Sequence, residues 1–243
     1  MPAIVEAEDS GLYVLKFRGA GQGIKALVAE ILSGELARAL GLRVPELVLV
    51  HLDPVLGRAE PDGEIRDLLK ASGGLNLGMD YLPSSITFDP TVGPAPGAGE
   101  ASAIVCFDAY VTNVDRTAKN PNLLVWHRAL WLIDHGASLY FHHSWDDFLE
   151  RSQSRFAPVK DHVLLRWATA LPEAQAHLRR TVTEEVIRRV VACVPEEWLG
   201  PAVEPRFPTA AEHREAYVAF LCKRLEAAPA FLEEAERARA QLV

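Results

Sequence analysis

A proline- and glycine-rich stretch divides this chain into two parts of different character. The stretch is SSITFDPTVGPAPGAGE, residues 84–100, and its composition prevents regular secondary structure from extending far. Before it, short apolar runs alternate with turn residues, as is typical of β-strands. After it, apolar residues recur mostly at helical spacing. The sequence therefore predicts an α+β fold of two lobes, a small β-rich lobe over residues 1–82 and a larger helical lobe over residues 83–243.

The first part predicts a small sheet and one long helix. The runs AIVEA and LYVLKF are separated by EDSG, which is typical of a β-hairpin. Apolar residues at helical spacing then predict a helix over residues 25–40, which Gly41 ends. Farther along, PELVLVHL predicts a buried strand, DGEIRDLLKA a short helix, and LNLGMDYLP either a strand or an extended linker.

The second part predicts a helical lobe that one hairpin interrupts. EASAIVCFDAYVTN predicts an apolar helix that runs into a polar loop, and LLVW and ALWLIDHG predict the hairpin that follows. The later segments typical of helices are SWDDFLERS, KDHVLLRWATAL, PEAQAHLRR, TEEVIRRVVACV and a helical pair that starts near Thr209.

Composition argues against several classes of protein. The 243 residues contain no apolar run long enough to span a membrane, and the N-terminus lacks the pattern of a signal peptide. We therefore expect a cytoplasmic protein without a membrane partner. The formal net charge of −8 argues against a general affinity for nucleic acid or anionic lipid. The three cysteines show no CxxC spacing, so neither a disulfide framework nor a zinc site is expected.

The polar loop and the end of the hairpin carry residues suited to phosphoryl transfer. Asp115 and Asn120 stand five residues apart, and Asp134 follows 14 residues after Asn120. Protein kinases place a catalytic Asp and a metal-binding Asn at the same spacing, and a second metal-binding Asp after a hairpin. Carboxylate and amide oxygens are ligands that suit Mg²⁺. Singly, Asp115 and Arg116 also fit a surface ion pair and DHG a turn, but the ordered set predicts a kinase site.

A lysine upstream fits the same chemistry. Lys16 lies in the apolar strand LYVLKF, where an unpaired ammonium group is costly to bury. Glu30, an acidic residue in the apolar helical stretch LVAEIL, is the expected partner, and Glu35 on the same helix is the alternative. We therefore predict an ion pair between Lys16 and Glu30. The competing interpretation is an edge-strand lysine that points into water.

Two short segments near Lys16 are candidates for phosphate contacts. The hairpin tip before the lysine offers the backbone N–H groups of Ser10 and Gly11. The segment RGAGQG, residues 18–23, is rich in glycine but lacks the Walker A pattern, and its role stays open.

The segments DAYVTNVDRTAKNPNLL…WLIDHG, LYVLKF and AEILSGELARALGLRVPE together resemble the HipA-like kinase family, from about Gly11 to about Tyr140. The resemblance implies a bilobal protein-kinase-like fold, which also includes phosphatidylinositol 3- and 4-kinases. It implies the following roles: Asp115 as catalytic base, Lys16 and Glu30 as the strand lysine and helix glutamate, and Asn120 and Asp134 as metal ligands.

The resemblance also implies a nucleotide site and a substrate class. The adenine pocket is expected along residues 75–83, with the backbone of Asp80, Tyr81 and Leu82 as its contacts. The expected cofactors are ATP and Mg²⁺. The expected acceptor is a hydroxyl group, in this family a protein serine or threonine.

Three other functions stay open at this point. The chain could be a pseudokinase that binds nucleotide without transferring phosphate, or a lipid kinase, which the acidic balance disfavours. The histidine-rich segment DHGASLYFHHSWDD could instead belong to a metal-dependent hydrolase, although it contains neither HExxH nor an HD pair. The candidate ligands of that hydrolase are Asp134, His135, His142, His143, Asp146 and Asp147.

Overall fold

The first part of the chain forms a four-stranded antiparallel sheet. The structure is a computed structural model that describes residues 2–21 and 23–242. The predicted hairpin is present, and LNLGMDYLP contributes a strand between the second and third strands of the chain, so that the order is β1-β2-β4-β3. The four strands are β1 (Pro2–Glu6), β2 (Leu12–Lys16), β3 (Leu47–Leu52) and β4 (Gly74–Asp80). Lys16 therefore ends an internal strand.

The long predicted helix, α1 (Gly23–Ala39), is buried over most of its length. Its end matches the prediction, because Gly41 has a φ of +77° and its N–H donates to Arg38 O. Apolar residues of α1 belong to the same core as the helices of the second part, whereas Leu15, Phe17 and Leu52 form a separate small core under the sheet. Helix α1 thus joins the sheet to the helical body. The short helix α2 (Gly63–Ala71) lies outside this core.

The second part of the chain contains a separate sheet of three strands. It consists of β5 (Ile86–Thr87), β6 (Leu123–Trp126) and β7 (Ala129–Leu132), in the order β5-β6-β7. The predicted hairpin is β6–β7, and positive φ angles at both turn residues, His127 and Arg128, match the twist of a tight hairpin. This hairpin starts just after the polar loop and ends just before Asp134, so it brings the two together.

Within the described residues, six α-helices make up most of the rest of the body. They are α3 (Ala98–Val111), α4 (Phe148–Arg151), α5 (Leu171–Thr181), α6 (Glu184–Ala192), α7 (Ala210–Glu226) and α8 (Ala228–Ala240). The mixed α/β architecture predicted from the sequence, a small antiparallel sheet with a helical body, is confirmed. Within residues 2–21 and 23–242, no helix is long and apolar enough to cross a membrane.

One predicted helix is wrong. KDHVLLRWATAL, residues 160–171, forms only short 3₁₀ turns at Ala157–Asp161 and Leu165–Trp167. Between these turns, Val163 N donates to Arg116 O, and Leu164 N donates to the side chain of His162. Because these N–H groups bond to a distant loop and to a side chain, a continuous helical ladder cannot form there. SWDDFLERS likewise keeps only the single turn of α4.

Candidate active site

Lys16 lies at the centre of a cluster of charges. Its Nζ is 2.7 Å from Glu30 Oε2 and 2.9 Å from Asp134 Oδ1. The lysine pairs with Pro2 on one side and Leu77 on the other, so it is not on a sheet edge. The predicted strand-to-helix ion pair is present. The alternative glutamate, Glu35, instead lies near Arg38 at the surface of the helix.

The buried Glu30 carboxylate and the half-buried Lys16 ammonium stabilise each other. Burial alone would raise the pKa of Glu30, but Lys16 and, to a smaller extent, His135 together outweigh that effect and hold the pKa at about 2. Burial alone would lower the pKa of Lys16, but Glu30 and Asp134 outweigh it and raise that pKa above the ordinary value. At neutral pH the lysine is therefore a fixed cation between two carboxylates.

Asp134 follows β7 in a left-handed backbone conformation, with a φ of +55°. Its side chain is 54% exposed, so one face of the carboxylate is open to solvent. The segment after it lies against α1: a Cβ built on Gly136 would be 3.6 Å from Ala26 Cβ and 3.7 Å from Glu30 Oε2. This packing directs the Asp134 carboxylate to the Lys16 side of the hairpin.

Asp115 is oriented by three amide side chains of its own loop. Its Oδ2 accepts hydrogen bonds from Asn120 Nδ2 at 2.8 Å and from Asn122 Nδ2 at 3.1 Å. Its backbone N–H donates to Asn113 Oδ1 at 3.1 Å. Asn113 and Asn122 were not among the predicted site residues. Two asparagines in such a short polar loop, Asn120 and Asn122, were the available signal.

A buried network beneath the loop was also missed by the sequence analysis. Arg116 is 1% exposed, and its ion-pair partner is Asp108 of α3, at 2.6 Å, which excludes the surface pair with Asp115. Asp108 also accepts hydrogen bonds from Asn113 and from His162 Nε2. Burial alone would raise the pKa of Asp108, but Arg116 and His162 lower it well below the ordinary value. A carboxylate inside the otherwise apolar helix EASAIVCFDAYV was the one sequence signal for this network.

One cavity of about 290 Å³ is lined by four of the charged residues described above: Lys16, Glu30, Asp115 and Asp134. The glycine-rich segment 18–23, whose role the sequence left open, supplies part of the wall through Ala20, Gly21 and Gly23, while Gln22 lies outside the described residues. The remaining wall residues are Pro2, Phe17, Ala26, Leu27, Gly136 and Ala137.

The predicted hairpin-tip contacts do not line this cavity. Ser10 N donates to Ala7 O at 2.9 Å, and Gly11 N donates to Asp9 Oδ1 at 2.8 Å. Both amides predicted to hold phosphate are therefore occupied by internal hydrogen bonds. A phosphate contact through Ser10 or Gly11 would require these bonds to be exchanged.

The predicted adenine segment passes from the four-stranded sheet to the second sheet, where Pro83 O accepts a hydrogen bond from Trp126 Nε1. Asp80 N and Tyr81 N already donate to Glu46 O and Leu12 O. Leu82 is 4% exposed. Asp80, Tyr81 and Leu82 do not line the cavity around Lys16 either, and their contact with adenine stays a prediction.

The histidine-rich segment does not form a metal site. His142 is buried and its Nδ1 lies 2.9 Å from the Tyr217 hydroxyl, while Asp146 pairs with Arg206. Among the residues that the structure describes, no group of three or more histidine, cysteine or acidic side chains could hold a metal ion. The hydrolase hypothesis has no support in this geometry.

Of three comparisons with known proteins, two found similar proteins and one found none. A model of the HipA-like kinase family matches residues 1–224. Among solved structures, the chain is similar to the Helicobacter pylori proinflammatory kinase CtkA, with a TM-score of 0.58 and 12% sequence identity over 100% of this chain and 95% of that chain. At that identity the likeness shows the fold alone. A comparison with curated protein sequences gave no significant match. Because the family match extends over most of its length, the chain belongs to the HipA-like kinase family.

Proposed function

We propose that this kinase transfers the γ-phosphate of ATP, in a Mg²⁺-dependent reaction, to the hydroxyl group of a protein serine or threonine. The observation that carries the proposal is the shared cavity, in which the Lys16 cation contacts Glu30 and Asp134 and which Asp115 also lines. These are the groups that phosphoryl transfer needs: a fixed cation, metal-binding oxygens and a carboxylate for the acceptor.

Lys16 binds the phosphates in this proposal. Its charge is held by Glu30, which cannot rotate away because it is buried in α1. A lysine kept in place before the nucleotide arrives loses little further freedom on binding, which favours affinity.

The metal ligands in the proposal are Asp134 and Asn120. Both side chains are exposed, and both offer the hard oxygen donors that Mg²⁺ prefers. Asn120 does not itself line the cavity, but its Nδ2 bonds to Asp115, which does, and its amide oxygen remains for a metal. Mg²⁺ would neutralise negative charge on the phosphates.

Asp115 orients the attacking hydroxyl and accepts its proton. Its carboxylate is fixed by the amides of Asn120 and Asn122, so it faces the acceptor in one orientation. Such a contact acts mainly during transfer and contributes little to the binding of ATP.

The surface beside the catalytic loop supports a protein acceptor. A second cavity of about 410 Å³ begins at Thr112 and Val114, next to Asp115, and continues past Tyr140. Val114 and Tyr140 are large side chains that stay 44% and 56% exposed. The remaining lining is mostly apolar: Phe141, Arg151, Ser154, Phe156, Ala157, Pro158 and Phe220. A peptide could place an apolar side chain there while its hydroxyl residue lies at Asp115.

Transfer of labelled γ-phosphate tests the proposal. The purified protein is incubated with labelled ATP and a degenerate peptide library that contains serine or threonine, with Mg²⁺ or with EDTA. We expect Mg²⁺-dependent labelling of the peptides and a preference for apolar residues near the hydroxyl. Nucleotide binding without transfer to any acceptor would indicate a pseudokinase, and labelling of phosphatidylinositol vesicles but not of peptides would indicate a lipid kinase.

A further inference from the structure

His135 is buried beside Glu30 without a hydrogen bond. Its side chain is fully buried, and neither ring nitrogen has a partner among the described residues. Its Nδ1 lies 3.5 Å from Glu30 Oε1, which also has no partner there. Buried polar atoms are nearly always hydrogen-bonded, so two unpartnered atoms that face each other at this distance need an explanation.

The contact closes a ring of four side chains around the metal-ligand segment. Glu30 Oε2 binds Lys16, and Lys16 binds the Asp134 carboxylate. Glu30 Oε1 faces His135, the next residue after Asp134 in the chain. Glu30 therefore acts on the Asp134–His135 dipeptide at two points. Its Oε2 is linked to the Asp134 carboxylate through Lys16, and its Oε1 faces His135 directly.

The ionisation of Glu30 determines which hydrogen bond it can form with His135. Glu30 is ionised at neutral pH, because the Lys16 ammonium 2.7 Å from its Oε2 lowers the pKa of the carboxyl group, so its oxygens only accept hydrogen bonds. A favourable contact therefore requires the proton of His135 to be on Nδ1. The backbone after His135 is held in a turn, because Ser138 N donates to His135 O at 2.9 Å. The φ of +55° at Asp134 is a conformation that needs such external support.

We propose that His135 is a positioning residue. Its Nδ1–H donates to Glu30 Oε1 when the 3.5 Å gap closes, and this bond holds Asp134 in the orientation that binds Mg²⁺. The proposal rests on the proposed function, since it assumes that Asp134 is a metal ligand. It differs from a packing role, in which the ring that stands edge-on to Phe107 would matter only for its shape.

Two substitutions separate the roles. His135→Phe keeps an aromatic ring of similar shape and removes the donor, whereas His135→Asn keeps an N–H donor close to the position of Nδ1 and loses the ring. The readout is the ATP-induced thermal shift at increasing Mg²⁺ concentration. We expect His135→Phe to raise the Mg²⁺ concentration for half of the full shift by roughly tenfold, as for one lost hydrogen bond to a charged group. His135→Asn should restore most of the loss.

Kinetics give a second readout. In His135→Phe, the Mg²⁺ dependence should account for the loss of activity, so that saturating Mg²⁺ restores most of kcat. The matched control is His51→Phe, since His51 is an exposed histidine of β3. His51→Phe should leave the Mg²⁺ dependence unchanged. A normal Mg²⁺ dependence in His135→Phe, with a defect only in His135→Asn, would overturn the proposal in favour of packing.

A double-mutant cycle in the absence of nucleotide distinguishes this inference from the proposed function. It combines His135→Phe with Glu30→Leu and measures the unfolding midpoint of each variant. We expect non-additive shifts, because each single substitution removes the same contact. Additive shifts would refute the His135–Glu30 bond whatever the activity of the protein. Non-additive shifts in a protein without any Mg²⁺-dependent ATP binding would retain the bond and refute the proposed function.

Discussion

The loop that carries Asp115 and the segment that carries Asp134 face the same cavity but are held in different ways. The Asp115 loop lies on a buried network in which Asp108 bonds to Asn113, Arg116 and His162. The Asp134 segment is held by Lys16 through an exposed carboxylate, with a positive φ and two facing atoms without partners.

This difference teaches which part of the site is preorganised. Both carboxylate oxygens of Asp108 have a close donor, so the Asp115 loop cannot move without breaking a buried ion pair. The Asp134 segment can shift at a lower cost, because its main contact is with Lys16, which is 18% exposed. We therefore expect the Asp115 loop to govern stability and the Asp134 segment to govern ligand binding.

The largest expected effect comes from breaking the buried ion pair under the catalytic loop. Arg116→Met leaves the Asp108 charge buried without its guanidinium, so it should lower the free energy of unfolding by about 3–5 kcal/mol. Chemical denaturation measures this loss. The matched control is Arg188→Met, which removes an exposed arginine paired with Glu184 and should cost less than about 1 kcal/mol. Equal costs in the two variants would contradict a preorganised loop.

The second largest expected effect is the loss of folding stability that occurs when Glu30 is protonated in acid. Because the folded-state pKa of Glu30 is about 2 and the unfolded value is about 4.3, its contribution is complete above pH 4.3 and is lost as the pH falls towards 2. The loss should reach at most about 3 kcal/mol. Unfolding measured between pH 5 and pH 2 should show a shallower decline in Glu30→Gln than in the unmodified protein. Parallel declines would mean that Glu30 is not held ionised by Lys16.

Substitutions of the two cavity aspartates, Asp115 and Asp134, should have different effects in a nucleotide titration. Ligand binding stabilises a protein by about 2.7 kcal/mol at a hundredfold excess over Kd. Asp115→Ala should keep most of the thermal shift caused by MgATP, because the role proposed for Asp115 is exerted mainly during transfer. Asp134→Ala should lose most of that shift, because its carboxylate is the proposed metal ligand. Phosphoryl transfer should be lost in both.

A normal Mg²⁺-dependent shift in Asp134→Ala would contradict its role as a metal ligand. Loss of the shift in Asp115→Ala would instead mean that the catalytic loop also binds the nucleotide, which would remove the contrast between the two regions.

The smallest effect should come from Asn122, which the sequence analysis missed. Asn122→Ala removes one of the two amide donors to the Asp115 carboxylate, a bond to a charged group worth about 1.5–3 kcal/mol. We expect kcat to fall by roughly tenfold or more, with the KM for MgATP unchanged. Asn120→Ala is the informative comparison, because it should also raise the Mg²⁺ requirement. Identical profiles for the two variants would mean that Asn120 only orients Asp115.

The sequence by itself determined the local elements of the fold. The strand hairpin before Lys16, the end of α1 at Gly41 and the β6–β7 hairpin all follow from patterns within a few residues of each other. The Lys16–Glu30 pair could also be predicted from the sequence, because Glu30 lies in an apolar helical stretch, where a buried carboxylate needs a partner of opposite charge. The strands, the hairpins and the helix end are encoded by residues close together in the sequence, so their patterns can be recognised without the fold.

Only the tertiary structure decided which partners the polar residues have. The bond from Lys16 to Asp134 joins residues 118 positions apart, and that from His162 to Asp108 joins residues 54 apart. The segment around His162 has helical spacing in its sequence, yet it bonds to Arg116 of the Asp115 loop instead of forming a helix. Periodicity reports which side chains can share a face, but it carries no information about distant donors and acceptors that compete for the same backbone groups.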